Sequence, residues 1–174
     1  MRDLVGYIIL AVIVGIIAYF RSRNLKSKGL IRNQGSDFAH SRFIYTLRSV
    51  SYQDIINALD RIDFAYLKFK NLSYGFDQTE NCIMIHDDTK TFKWEARLAF
   101  IGNNGAQCQY AFNFLNYPEA MPQGMQMFHT ALEKMFLEFD WNTVVESTRL
   151  KTKTKTNKLS GLGYVGGGRI EVIE

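Results

Sequence analysis

Hydrophobic and polar positions follow three regimes along the chain. Residues 4–20 (LVGYIILAVIVGIIAYF) are apolar without interruption. Residues 42–139 alternate or recur with strand and helix periods, and from Arg149 onward cations alternate with threonines before a glycine-rich stretch. Each regime predicts a different kind of structure.

The uncharged run at 4–20 reads as a helix of roughly 26 Å at about 1.5 Å per residue, close to the thickness of a bilayer core, with Tyr7, Tyr19 and Phe20 at its rims. No small-x-small cleavage site follows it, so the expectation is an uncleaved signal-anchor over residues 1–20 rather than a leader peptide. Arg21, Arg23, Lys26, Lys28 and Arg32 come after the run, and only Arg2 and the α-amine precede it. That asymmetry predicts a single-pass cell-membrane protein with its N terminus outside and its C-terminal domain cytoplasmic. The five cations are the candidate membrane-surface residues, a basic juxtamembrane linker over 21–41 suited to anionic headgroups. Ala11 and Gly15, with Ala18 near the same face, form a small-residue pair of the kind found where helices associate.

The second regime predicts one domain over residues 42–148. Strands are expected at 42–47, 64–71, 82–86, 91–101 and 107–115. The clearest is 92–100, where Lys93, Glu95 and Arg97 take one face and apolar residues the other. Asn103, Asn104 and Gly105 tolerate the backbone of a tight turn, so the last two strands should form an antiparallel hairpin. Ser51 and Asp54 resemble a capping box, with Ile55, Ile56, Leu59 and Ile62 at helical spacing behind it. After Tyr117-Pro118, Met121, Met125, Phe128, Leu132, Met135, Phe136 and Phe139 trace a wide apolar stripe on a second helix beginning near Pro122.

Together these elements predict an α+β fold, with an N-terminal transmembrane helix followed by a two-layer domain. In that domain an antiparallel sheet of about five strands is covered by a long amphipathic C-terminal helix. The order of elements over residues 42–140 resembles the helix-grip layout of START-like proteins, without a shared motif, so no functional residue carries over. A ferredoxin-like or another two-layer sandwich fits the same pattern. Residues 149–174 are expected to be a basic, glycine-rich tail: Lys151, Lys153 and Lys155 would share one side of a lysine-protected edge strand or, equally, belong to a solvated tail lying on an anionic leaflet, and the last residues could add a strand in cis or to a partner's sheet edge.

Charge divides along the same lines. Residues 1–48 hold eight Lys/Arg against Asp3 and Asp37, residues 49–148 seven against thirteen Asp/Glu, and residues 149–174 six against two. The folded body is therefore acidic, which argues against a nucleic-acid reader built on its surface. At 47% hydrophobic and 14% aromatic residues, with 2 Cys and 2 Pro, the domain can fill a core without disulfides.

Candidate chemistry is sparse. His40, His86 and His129 show no metal-ligand spacing, and the glycines at 161, 163 and 166–168 lack the strand, helix and Gly-Lys-Ser/Thr of a phosphate loop. Cys82 and His86 share a strand face, with Asp87 and Asp88 adjoining. A buried thiol before a polar turn accounts for them, because a zinc or acid–base site would need further ligands. Cys108 is expected to neighbour Cys82 across the sheet and to be inert. Glu133, Glu138, Asp140, Asp54, Asp60 and Asp63 fit solvated helix faces.

Without a catalytic motif, the expected function is a membrane-tethered cytoplasmic binding or assembly module. It would not be an enzyme and would use no cofactor or metal, and its partners would be the bilayer, another protein or copies of itself. The alternative is a lipid or apolar small-molecule binder with a cavity between sheet and C-terminal helix. Its candidate ligand-binding residues are Met125, Phe128, Leu132, Met135 and Phe136.

Overall fold

A computed structural model of the chain describes residues 2–27, 37–62, 71–88, 93–103, 105–119, 123–155 and 169–173. The chain forms two compact units, Met1–Asn33 and Gln34–Glu174.

The first unit is helix α1, Arg2–Ser27. Its described apolar side chains, among them Ile9, Leu10, Ile13 and Ile17, are exposed. The expected single-pass anchor is overturned: among the described residues no helix is long and apolar enough to cross a membrane. The uncharged run stops short of the about 20 apolar residues that a span ordinarily needs. Arg2 and Asp3 at one end of the same helix, and Arg21, Arg23 and Lys26 at the other, make up the rest of its length. The predicted placement of the two termini across a cell membrane rested on that anchor and falls with it. Of the five basic residues assigned to the membrane surface, Arg21, Arg23 and Lys26 belong to α1, while Lys28 and Arg32 lie outside the described residues.

The second unit begins with a 3₁₀ turn, Phe38–His40, and strand β1, Ser41–Arg48. Helix α2, Tyr52–Arg61, follows from a complete capping box: the Ser51 side chain accepts from the Asp54 N–H, and the Asp54 carboxylate accepts from the Ser51 N–H. Strands β2 (Leu72–Asp77), β3 (Cys82–Asp87), β4 (Trp94–Asn103) and β5 (Gln107–Pro118) form an antiparallel meander. The turn between β4 and β5 uses Gly105 at φ +91, a backbone that a side chain would strain, and the Asn103 side chain accepts from the Gly105 N–H. Helix α3, Gln123–Phe139, comes next, followed by β6 (Val144–Arg149), β7 (Lys151–Lys155) and β8 (Arg169–Ile173).

The expected fold needs correction in two respects. The sheet has eight strands among the described residues, not about five, and α3 is not C-terminal, because three strands follow it. The cause is visible in β6 and β7, whose residues are all exposed. A strand wet on both faces has no reason to alternate apolar with polar, so periodicity does not reveal it. The predicted strand at 64–71 falls almost wholly outside the described residues, and the strand that pairs with β3 is β2, further along the chain.

The strand order β2-β3-β4-β5-β1-β6 is completed by β8, which pairs with both β5 and β7. The long β5 thus carries two neighbours on one side, β1 along residues 107–112 and β8 along residues 116–118. Strands β6 and β7 share the outermost row: β6 lies against β1, and β7 lies against β8. Leu150 joins them, its N–H donating to the His40 carbonyl at 2.7 Å.

One face of the sheet makes the core. Tyr45, Leu47, Ile83, Ile85, Trp94, Leu98, Tyr110, Phe112 and Phe114 point into it, met by Ile55 and Leu59 of α2 and by Met125, Phe128, Leu132 and Phe136 of α3. Burying each of these large side chains is worth about 1.5 to 3 kcal/mol before conformational entropy is subtracted. Tyr45 and Phe136 stack at 4.4 Å between ring centroids, and Trp94 meets Phe114 and Phe128 at 5.4 and 5.3 Å. These ring contacts fix where α3 crosses the sheet.

Candidate interaction edge

The five side chains proposed to line an apolar cavity are all buried: Met125, Phe128, Leu132, Met135 and Phe136 belong to the core cluster. Phe128 and Phe136 spend their surface on Trp94, Phe112, Tyr45 and Tyr110. Their burial therefore has a structural account that involves no ligand.

The spacing of Cys82 and His86 does not suit a shared metal. Positions i and i+4 of one strand stand about 13 Å apart along its axis, so a thiol and an imidazole so placed cannot share a metal. No group of three or more His, Cys, Asp or Glu residues suited to a metal occurs among the described residues. Cys82 is buried, and desolvation holds its thiol above the usual range, aided by Asp77 and Glu80 against the opposing effect of Arg97. His86 lines an open groove of about 500 Å³ on the β2–β3 edge with Ser73, Asp77 and Met84. Cys108 is not Cys82's neighbour. Cys82 pairs with Ala99 of β4, whereas Cys108 pairs with Leu47 and points into the core from the opposite face.

His40 and His129 are structural in the same sense. The Tyr117 hydroxyl and His40 Nδ1 lie 2.8 Å apart, and the Tyr45 hydroxyl lies 3.0 Å from His129 Nε2. His129 sits among the rings of Phe38, Phe43 and Phe112, and burial drives its pKa down to about 3. At neutral pH it is an uncharged ring packed in a core. Glu133, expected on a solvated helix face, is also buried, and its charge raises the pKa of Tyr45 behind the larger effect of desolvation.

On the face away from the helices, register places Asn113 opposite Arg97. Asn113 is buried there, and its Oδ1 has no hydrogen-bond partner among the described residues.

Among the described residues the sheet ends in β2 on one side and in the β6–β7 row on the other. Strands β6 and β7 are paired on their inner side only, and among the described residues no strand lies against their outer side. At about 3.3 Å per residue the row offers an edge of some 35–40 Å with free backbone donors and acceptors. Register assigns its side chains. Thr152 and Thr154 pair with Val172 and Ile170, which face the core, so Lys151, Lys153 and Lys155 stand on the other face with Glu171. Lys155 pairs with Glu171 at 2.7 Å and Arg149 approaches Asp37 at 3.9 Å, while Lys151 and Lys153 have no ion pair among the described residues.

At the head of this edge stands Trp141, 83% exposed, with Val144 and Val145 at 55% and 43%. The turn that presents it is tightly bonded. Asp140 accepts from the Asn142 N–H at 2.9 Å and from the Arg48 N–H at 3.0 Å, and the Thr143 hydroxyl donates to the Asp140 carbonyl at 2.6 Å. The Asn142 N–H within the turn, and then the Arg48 N–H at the end of β1, hold the Asp140 carboxyl below its usual range. A hydrogen-bonded turn thus displays an exposed indole, the kind of side chain most enriched in binding hot spots. Sequence reasoning passed over Trp141, which follows the predicted helix and belongs to no predicted element. The signal within reach was a tryptophan flanked by Asp and Asn, a turn-forming setting that leaves a large ring no core to enter.

Neither a family model nor a curated protein nor a solved structure matches the chain.

Proposed function

We propose that the Gln34–Glu174 unit is a protein-binding module that takes an extended polypeptide segment along the β6–β7 edge, with Trp141 as its anchor. The observation that carries this reading is the edge itself, exposed at every residue, with its outer backbone unpaired among the described residues and headed by an indole on a hydrogen-bonded turn. Strand addition draws affinity from main-chain hydrogen bonds and selectivity from side chains at alternate positions, and both are on offer here. The apolar-ligand reading has less support, since its candidate residues are committed to core contacts.

Site-specific photo-cross-linking of the full chain in the cells that make it tests the proposal. The reactive side chain is placed in turn at Trp141, Glu146, Thr148 and Thr152, with Phe76 on the opposite edge strand as control. Strand addition predicts cross-links that step in order along one short stretch of one partner. Scattered adducts, or yields no higher than at Phe76, would overturn it.

A further inference from the structure

The inner side of β7 already displays the chemistry its outer side would accept, and this deepens the reading of the edge on which it rests. Strand β8 has an acid between apolar β-branched residues, Ile170-Glu171-Val172, and lies antiparallel to β7 with Glu171 opposite Lys153 and bonded to Lys155. An outer strand meets the same row of lysines from the other side. Lys151 and Lys153, which form no ion pair among the described residues, are the cations left for it.

We infer that the occupant of this edge is an acidic extended segment of another protein, bearing Asp or Glu at alternate positions and apolar β-branched residues between them. Charge decides among the possible occupants. A second copy pairing β7 with β7 would bring lysine rows together, and like charges in directly opposed or diagonal positions destabilise a strand pair. A nucleic acid would satisfy the lysines but not the edge, because phosphates cannot continue a backbone ladder, and residues 49–148 carry thirteen acids against seven basic residues. Every described strand pair in this sheet is antiparallel. With that polarity the acids come first in the partner, facing Lys153 and Lys151, and its later residues run past β6 toward Trp141.

The test uses the full chain and two fluorescein-labelled synthetic peptides, one alternating Glu with Val and ending in Ile-Trp, the other with every Glu replaced by Lys. The Glu peptide should bind with an affinity that falls as salt is raised, the Lys peptide should bind at least tenfold more weakly, and Lys151→Glu with Lys153→Glu should reverse the preference. Hydrogen exchange should slow at β6 and β7 amides while those of β8 and of residues 116–118 stay as protected as before. Equal binding of the two peptides, an unchanged preference in the double variant, slowing at β2, loss of protection in β8, or β6–β7 amides already protected by dimerisation without peptide would each overturn the inference. If ordered cross-links to a partner persist in the double variant, the edge reading stands and the acidic assignment alone falls.

Discussion

Tyr45 on β1 and His129 on α3 meet inside the core with the hydroxyl 3.0 Å from Nε2, so the helix that covers the sheet is joined to it by a polar bond surrounded by rings. The imidazole is held neutral, its pKa lowered by burial to about 3 from an unfolded value near 6.5. Between those values the unfolded chain binds a proton that the folded one refuses. The contribution to stability is therefore complete above about pH 6.5 and is lost as pH falls toward 3, at up to about 1.4 kcal/mol per pH unit. Urea unfolding at pH 7, 5.5 and 4.5 should show this slope in the native chain and a flatter one in the double variant Tyr45→Phe with His129→Phe, which replaces both partners by apolar rings. Equal slopes would mean that His129 is accessible to protons in the fold.

Phe136 is the packing counterpart of that polar contact, stacked on the other side of Tyr45 at an interplanar angle of 20°. Phe136→Ala removes a fully buried ring from the place where α3, β1 and β5 meet, and cavity formation adds to the lost transfer energy. The expected cost is about 3 to 5 kcal/mol, measured as a drop in the urea midpoint with little change in slope. Leu137→Ala, one residue along the same helix and partly exposed, should cost far less, and similar losses at the two positions would contradict the orientation of α3.

How much of this was readable beforehand depended on whether a residue had a dry side. Strand β4 was legible because Trp94, Ala96 and Leu98 are buried while Glu95 and Arg97 are not, and α3 because its stripe meets aromatic strands. Strands β6 and β7 carry no such contrast, so Lys151 to Lys155 read equally well as a solvated tail. The apolar run of α1 is plain in the residues, but hydropathy reports the absence of charge and not the length a span requires. The interaction edge was half visible: the lysine alternation stood out, whereas Trp141 gained meaning only when the turn that exposes it was in place.

Ser51 starts α2 by trading hydrogen bonds with Asp54, and its hydroxyl and then its backbone N–H, both donating to Asp54 Oδ2, hold that carboxyl below its usual range. Ser51→Ala removes the side-chain acceptor for the Asp54 N–H, at an expected cost of about 1 kcal/mol, while Ser51→Thr should leave stability within a few tenths. Chemical denaturation of the two variants decides it. Loss in the alanine variant without loss in the threonine variant separates the cap from any packing role of this exposed residue.

The two thiols should be silent in the folded chain. Cys82 and Cys108 are each buried, on opposite faces of the sheet, and desolvation raises both pKa values, so little thiolate is present at neutral pH. Ellman's reagent at pH 7.5 should react with neither until urea opens the structure, and then with both. Rapid labelling of either under native conditions would show that its strand opens locally.

The interaction edge makes the sharpest contrast between stability and binding at one side chain. Trp94 lies in the core and Trp141 projects into solvent, so acrylamide should quench the native emission in two components. Trp141→Phe should leave only the shielded one. Because the turn is held by Asp140 and Thr143 and not by the indole, Trp141→Ala should change unfolding free energy by no more than about 0.5 kcal/mol. If Trp141 anchors a partner strand, that same substitution should weaken binding of the Glu-Val peptide at least tenfold, an effect characteristic of a buried aromatic anchor. A variant that unfolds more easily while binding equally well would reverse both halves of the assignment, making the indole part of the fold's support and leaving the edge without its anchor.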